Sequence, residues 1–215
     1  MACIAVPTSI GGARKQAGWA ALGRFAIDRR FWLFVISAAA LQSSHQLYYG
    51  FGTLIWRQAG FPNSVIGVLW AEGVVAEIVL FWYSAALVRR LGPTGLMVLG
   101  GVGGVLRWSL MAFIPGLGAV TLLQLLHAAT FAASHLGAMN FLARNVPPDA
   151  AASAQSLYSA LSAGFGSGLV MLTAGALYST WGGHAYLAMA GLSALGLIGV
   201  SRLAAAGGAS ATKSV

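Results

Sequence analysis

Charge is what this sequence has least of: Asp, Glu, Lys and Arg make up 7% of its 215 residues, whereas soluble domains contain about 25%. Hydrophobic residues reach 58%. This balance excludes an ordinary soluble domain and predicts an all-α membrane protein, with the lipid bilayer as its surroundings. The single cysteine, Cys3, excludes a disulfide framework and a cysteine-based zinc site.

Acidic residues are scarcer than basic ones, with 4 Asp and Glu against 12 Lys and Arg and a net charge of +8. In a soluble protein such an excess raises the question of nucleic-acid binding. In a chain this apolar it indicates membrane topology, so no nucleic acid is expected as a partner. The sequence also lacks a metal-ligand cluster, a phosphate-binding loop and a nucleotide fingerprint, so no metal or cofactor is expected.

Charged or helix-breaking segments divide the chain into stretches of about 20 or more apolar residues, the length that a membrane-crossing helix needs. Ten of the twelve basic residues fall on one side of the bilayer if the N-terminus is cytoplasmic. The positive-inside rule therefore predicts both termini in the cytoplasm and a multi-pass protein of the inner membrane. We expect a cytoplasmic linker at 1–30, a bundle at 31–204 and a cytoplasmic tail at 205–215, with six spans at 31–56, 65–88, 94–114, 117–144, 151–180 and 184–204.

Five ionisable side chains lie inside the predicted spans at similar depths. At 1.5 Å per residue, Glu72 and Arg107 both fall about 10 Å below the outer ends of their spans, and His45, His127 and Glu77 fall about 15 to 18 Å down theirs. Buried charges are costly in lipid and by default mark a function. The two glutamates point about 140° apart on one helix, so both cannot face one cavity. His135 and His184 are given no role in the site.

Polar side chains also follow helical spacing on two spans, which places them on one face of each helix. Such faces line water or, in the simpler interpretation, form hydrogen bonds between helices. One of the two sets is Gln42, His45, Gln46 and Tyr49, and the other is Gln124, His127, Thr130 or Phe131, and Ser134.

Several segments at these positions resemble the C-terminal half of major facilitator superfamily permeases, in the 3-phenylpropionic acid transporter branch related to the galactoside/proton symporters. The resemblance covers nearly all of residues 25–205 and implies six transmembrane helices arranged as two inverted three-helix repeats. The segments are Tyr48 to Thr53, Val68 to Glu77, Leu106 to Trp108, and Leu123 to His127 continuing to Met139.

By this resemblance, Arg107 and His127 match an arginine and a histidine of the symporters' proton and sugar machinery. The carboxylate expected three residues after the histidine is Thr130 here, so Glu77, or else Glu72, is expected to carry the proton. Because a guanidinium suits a carboxylate, Arg107 is expected to hold an organic acid. The other expected substrate-binding residues are His127, His45, Gln46, Tyr49 and Gln124.

The resemblance thus implies a secondary active transporter, a proton symporter for a small organic acid with an aromatic acid favoured. Such permeases have two six-span halves, so a separate N-terminal half or a second copy is an expected partner. One alternative is a membrane protein that only assembles with others and transports nothing. A remote alternative is an intramembrane serine protease, with Ser167 between Gly166 and Gly168 and with His184 on a later segment.

Overall fold

The computed structural model describes residues 28–113 and 116–212, with side chains described as far as residue 206. These residues are helical throughout, apart from short turns, and contain no strand. Most of the predicted linker at 1–30 and tail at 205–215 lies outside them. The helices in chain order are α1 (Arg29–Ser43), α2 (Gln46–Gln58), α3 (Asn63–Trp82), α4 (Ser84–Met111), α5 (Leu117–His127), α6 (Ser134–Asn145), α7 (Ala151–Ser159), α8 (Ser167–Trp181) and α9 (Tyr186–Thr212).

Short segments of other helix types connect some of these helices without a loop. A π-helical segment, Ala128–Ala133, joins α5 to α6, and a second one, Ala160–Gly166, joins α7 to α8. A 3₁₀ turn, Gly182–Ala185, joins α8 to α9. π-helical turns are rare and often lie at functional sites.

Two breaks differ from the sequence prediction. The first predicted span is interrupted at Ser44 and His45, because the Ser44 hydroxyl donates to the Leu41 carbonyl (2.7 Å) and His45 Nδ1 lies 3.2 Å from the Gln42 carbonyl. Side chains that bind nearby carbonyls in this way interrupt or bend a helix. The second predicted span ends early, at Trp82, and the break expected near Pro93 is a kink at Gly92 (φ 66°) within α4.

Four helical stretches of the described residues are long and apolar enough to cross a membrane: Asn63–Trp82, Ser84–Met111, Leu117–Asn145 and Ala151–Ala206. The last stretch has 56 residues and contains two of the predicted spans. The interruption at Ser44 leaves α1 and α2 with 15 and 13 residues, each below the length of a full span. The prediction of an all-α, multi-pass membrane protein is confirmed, whereas the number six stays a prediction.

The helices pack in a regular pattern. Two spans are interrupted in the middle, α1–α2 at Ser44 and α5–α6 by the first π segment, and we call them the interrupted helices. Helix α4 packs against α9. In addition, α9 packs against α1, and α4 packs against α6 and the π segment that precedes it. Helix α3 packs against α5, and α8 packs against α2. The interrupted helices therefore lie centrally between α3 and α8 on one side and α4 and α9 on the other.

Glycines allow α4 to approach its neighbours closely. A Cβ atom at Gly101 or Gly104 would lie within 3.0 Å of Leu197 or Ser193 on α9. One at Gly100 would overlap Ser134 of α6. These glycines are buried, so small residues set the helix spacing here, as is usual in membranes. This packing places Arg107, one turn further along α4, inside the bundle.

Candidate functional site

A buried polar cluster lies where α4, α5 and the Ser44–His45 interruption meet. Its members are Arg107, Gln124, His127, Thr130 and His45, each no more than 5% exposed. Each of these side chains is in direct contact with at least one other member. The described structure thus brings together groups that are widely separated in the sequence.

Arg107 is at the centre of the cluster. Its Nη1 lies 2.7 Å from His127 Nδ1 and 3.3 Å from Thr130 Oγ1, and its Nη2 donates to Gln124 Oε1 at 2.7 Å. The guanidinium carbon lies 4.7 Å and 4.6 Å from the ring centroids of Tyr48 and Trp108. Cation–π contacts with desolvated rings stabilise a buried cation. Arg107 is therefore held on several sides and is 0% exposed.

Gln124 fixes one side of this arrangement. Its Nε2 donates to the Tyr48 hydroxyl and to the Leu69 carbonyl, both at 2.8 Å. Since Nε2 has two donor bonds and Oε1 accepts from Arg107, the orientation of the amide is determined by its partners.

His127 connects Arg107 to a carboxylate. A guanidinium has no acceptor, so the short contact with Arg107 requires an unprotonated Nδ1 on His127. The hydrogen of the neutral ring is then on Nε2, which lies 2.8 Å from Glu77 Oε1. The Glu77 side chain is 18% exposed, against 6% for His127. The three residues form a chain from a buried cation, through a neutral imidazole, to a carboxylate at the edge of the cluster.

His45 and Thr130 join the two central helices. His45 Nε2 lies 3.1 Å from Thr130 Oγ1, and its ring contacts Trp108 edge to face at 5.1 Å between centroids. His45 belongs to the interruption between α1 and α2, and Thr130 belongs to the first π segment. The irregular points of the two helices are therefore in contact with each other.

A cavity of about 290 Å³ lies beside the cluster, at the low end of the size range for small-molecule sites. Phe131 is part of its wall and stacks on His127 at 5.6 Å and 16°. Neither Arg107 nor His127 lines the cavity. The lining residues are Gln42, Gln46, Tyr49, Phe131, His135, Tyr158, Ser159, Ser162, Ala163 and Ser167.

The predicted site residues thus fall into three groups. The cluster contains Arg107, His127, His45 and Gln124, and Glu77 contacts it at its edge through His127. Gln46 and Tyr49 lie in the cavity wall instead. Glu72 is in neither place.

The Glu72 side chain lies on the outer seam between α3 and α5, beside apolar residues such as Val68 and Leu125. It forms no hydrogen bond with any described residue. The geometry therefore selects Glu77 as the glutamate that contacts the cluster, and Glu72 is not the partner of Arg107.

Sequence reasoning missed two contributors to these sites. Tyr48 accepts a hydrogen bond from Gln124 and contacts Arg107 with its ring, although it is not among the predicted site residues. His135 lines the cavity, although it was given no role. The sequence did contain a signal for His135, because a spacing of eight residues places it on the same helix face as His127.

The arrangement expected of a serine protease is absent from the described residues. The Ser167 hydroxyl donates to the Ser162 carbonyl at 2.9 Å, so it is not paired with a histidine. His184 lies in the 3₁₀ turn, where its ring contacts Phe113. The described residues contain no cluster of His, Cys, Asp or Glu side chains able to hold a metal ion.

Comparison with known proteins agrees with the resemblance noted from the residues. The profile of the MFS_1-like family matches residues 8–188. A probable 3-phenylpropionic acid transporter of Escherichia coli K12 is 34% identical over 182 residues, which are 84% of this chain and 47% of that protein. The predicted resemblance is confirmed, and a transporter family argues against an enzyme.

A second relative, the uncharacterized transporter YwbF of Bacillus subtilis 168, is 21% identical over 70% of this chain and 38% of its own length. No solved structure matches the chain significantly. The chain spans about half the length of the curated relatives that it matches, or somewhat less.

Proposed function

The chain belongs to the MFS_1-like family, and we propose that it is the C-terminal half of a secondary active transporter. The cargo is a small organic acid that crosses the membrane together with a proton. The observation that carries the proposal is the buried chain from Arg107 through His127 to Glu77.

Charge balance among Arg107, His127 and Glu77 can couple the binding of a proton to the binding of the acid. When Glu77 is ionised, its negative charge offsets the positive charge of Arg107 through the polarised ring of His127. When Glu77 takes up a proton, the cluster keeps an unbalanced positive charge in a medium of low dielectric constant. An anion beside the cluster is then stabilised, so the acid and the proton bind together more favourably than either alone.

An aromatic acid is the favoured cargo for two reasons. The Escherichia coli relative is named for 3-phenylpropionic acid. The cavity wall also includes the rings of Phe131, Tyr49 and Tyr158, against which an aromatic ring can stack.

The helix packing supports six spans in two inverted repeats. If each of the three predicted spans up to Met111 is exchanged in chain order with one of the three after it, the packing of α3 against the fourth span (α5, the first π segment and α6) corresponds to that of the fifth span (the second π segment and α8) against the first span (α1 and α2). The packing of α9 against the first span corresponds in the same way to that of α4 against the fourth span, and the packing of α4 against α9 corresponds to itself. The correspondence holds for whole spans, since the parts in contact, α1 and α6, are the first part of one span and the last part of the other. The distribution of basic residues supports a topology with both termini in the cytoplasm, and the proposal includes a bundle that lies in the inner membrane.

Half of a permease needs a second half, because the substrate binds between halves in this architecture. The cavity wall supports this view, because it includes Gln46 and His135, whose polar atoms have no hydrogen bond to a described residue and would be costly to expose to lipid. A separate N-terminal half is the proposed partner, and a second copy of this chain is the other candidate.

The test is reconstitution into proteoliposomes, with the chain alone or co-expressed with the unmatched half of the Escherichia coli relative. Uptake of 3-phenylpropionate driven by an imposed pH gradient is measured. We expect Glu77→Gln to abolish uphill accumulation and retain exchange, and Arg107→Gln to abolish transport of the anion. Arg57→Gln, at an exposed position paired with Asn63, is the matched control and should transport normally.

Two results would decide against this function. Accumulation at the wild-type level in Glu77→Gln would remove that residue from proton coupling. A wild-type chain without flux, alone and with the co-expressed half, would favour the alternative of a membrane protein that only assembles with others.

A further inference from the structure

The cavity wall contains polar groups that the protein itself does not satisfy. Within the described residues, the His135 ring nitrogens, the Gln46 amide and the Tyr49 hydroxyl form no hydrogen bond. All three residues line the cavity. A polar group without a partner inside a membrane protein is costly, and such groups mark ligand pathways. Several donors converging on one small cavity are typical of a ligand site.

Arg107 does not serve this cavity directly in the observed arrangement. It is 0% exposed, and both of its terminal nitrogens already donate to protein acceptors. Phe131 lies between the cluster and the cavity, since it stacks on His127 on one side and on His135 at 6.3 Å and 8° on the other. A ligand in the cavity therefore meets Phe131 and His135 before it meets Arg107.

The first π segment produces this column of rings. Because it lies between His127 and His135, the three side chains at four-residue intervals remain stacked along one face. The middle ring, Phe131, is half-buried and offers an apolar surface to the cavity. The last ring, His135, offers nitrogen atoms.

We propose that His135 binds the carboxylate of the transported acid, assisted by Gln46 and Tyr49, while Phe131 supports the apolar part of the acid. The proposal rests on the proposed function and assigns the direct substrate contact to a residue outside the Arg107 cluster. Arg107 then acts on the anion through the charge of the cluster and not by a hydrogen bond.

The experiment measures equilibrium binding of radiolabelled 3-phenylpropionate to the purified full chain in detergent, alone and with the co-expressed half. His135→Phe keeps a ring that can stack on Phe131 but removes both nitrogens. A hydrogen bond to a charged group contributes about 1.5–3 kcal/mol, so affinity should fall about 10- to 100-fold. His135→Gln retains a donor and should recover most of the affinity.

His184→Phe makes the same substitution at the 3₁₀ turn, where the ring contacts Phe113, and should bind as the wild type does. A further arm uses 3-phenylpropanamide, whose neutral carbonyl accepts a weaker hydrogen bond than a carboxylate does, so His135→Phe should lose less affinity for the amide than for 3-phenylpropionate. Melting temperature checks folding, and it should not change in His135→Phe because no hydrogen bond to a described residue is lost.

Wild-type affinity for 3-phenylpropionate in His135→Phe would overturn the assignment while leaving the proposed transport function intact. Equal losses in His135→Phe and His135→Gln would also overturn it, because ring shape and not a donor would then be responsible. If the wild-type chain binds neither probe in either preparation, the substrate class itself is wrong, and the inference is overturned with it.

Discussion

The Arg107 cluster and the cavity wall lie side by side on the same helices but differ in how their polar groups are satisfied. In the cluster, Arg107 contacts both Gln124 and His127 at 2.7 Å. Gln124 and His127 each have a further partner at 2.8 Å, Tyr48 and Glu77 respectively. In the wall, the side chains of Gln46 and His135 have no such bond to a described residue. We call the cluster the closed region, because its polar atoms have protein partners with the exception of the buried Arg107 Nε. The wall is the open region, and we expect the closed region to contribute more to the stability of the bundle.

The largest effect is expected when the centre of the closed region is removed. Arg107→Met leaves Glu77 without a compensating charge and leaves Gln124 with one partner fewer. The variant also leaves the buried acceptor atoms of His127, Thr130 and Gln124 without their donor. A buried acceptor without a partner costs about 1–3 kcal/mol, so the free energy of unfolding in detergent micelles should fall by about 3 kcal/mol or more. Arg57→Met, at an exposed position, should change it by less than about 0.5 kcal/mol. Similar losses in both variants would show that the cluster does not stabilise the bundle.

A smaller loss is expected where α4 meets α9. In Gly104→Ala, the new methyl group would lie 2.6 Å from Ser193 Oγ, so the helices must shift. Overpacking of this kind costs about 1–3 kcal/mol. Gly118→Ala adds the same methyl group where nothing lies within 4 Å, and it should be neutral or stabilising. Denaturant titration of both variants tests this, and equal stability would contradict the close approach.

Thr130→Val tests the link between the two central helices. It keeps the shape of the side chain but removes the oxygen that contacts Arg107 and His45. Hydrogen bonds between membrane helices contribute about 0.6 kcal/mol on average, and this one serves two partners, so a loss of about 1 kcal/mol is expected. A double-mutant cycle with His45→Phe measures how much of this loss comes from the contact between Thr130 and His45. Additive effects would show that the two side chains do not interact.

The smallest effect on stability is expected in the open region. Tyr49→Phe removes a hydroxyl that has no partner among the described residues, so the free energy of unfolding should change by less than about 0.5 kcal/mol. Binding of 3-phenylpropionate should nevertheless weaken. A large loss of stability would mean that the wall is part of the structural core.

The sequence predicts much of the closed region. Breaks such as the one from Asn145 to Ala151 appear where charge and proline end the apolar runs. Arg107 and His127 meet because ionisable groups at similar depth on neighbouring helices are costly unless they pair. The sequence also shows that only one of Glu72 and Glu77 can face the cluster.

The stacking of Phe131 between the two histidines and the choice between the two glutamates could not be predicted, because they depend on backbone irregularity and helix rotation that the sequence does not indicate. The segment Ala128–Ala133 contains no proline or glycine, yet it is π-helical, and it aligns Phe131 with both histidines. The choice of Glu77 over Glu72 depends on how α3 is rotated against α5. This rotation is set by packing between helices, because α3 is apolar on nearly all sides.

Proton exchange on substrate binding tests the central claim most directly. The purified protein is mixed with 3-phenylpropionate in weakly buffered detergent solution, and a pH indicator follows the proton. We expect proton uptake on binding in the wild type, because the proposed coupling requires Glu77 to take up a proton as the anion enters, and no uptake in Glu77→Gln although the acid still binds. Binding without proton uptake in the wild type, or equal uptake in Glu77→Gln, would contradict it.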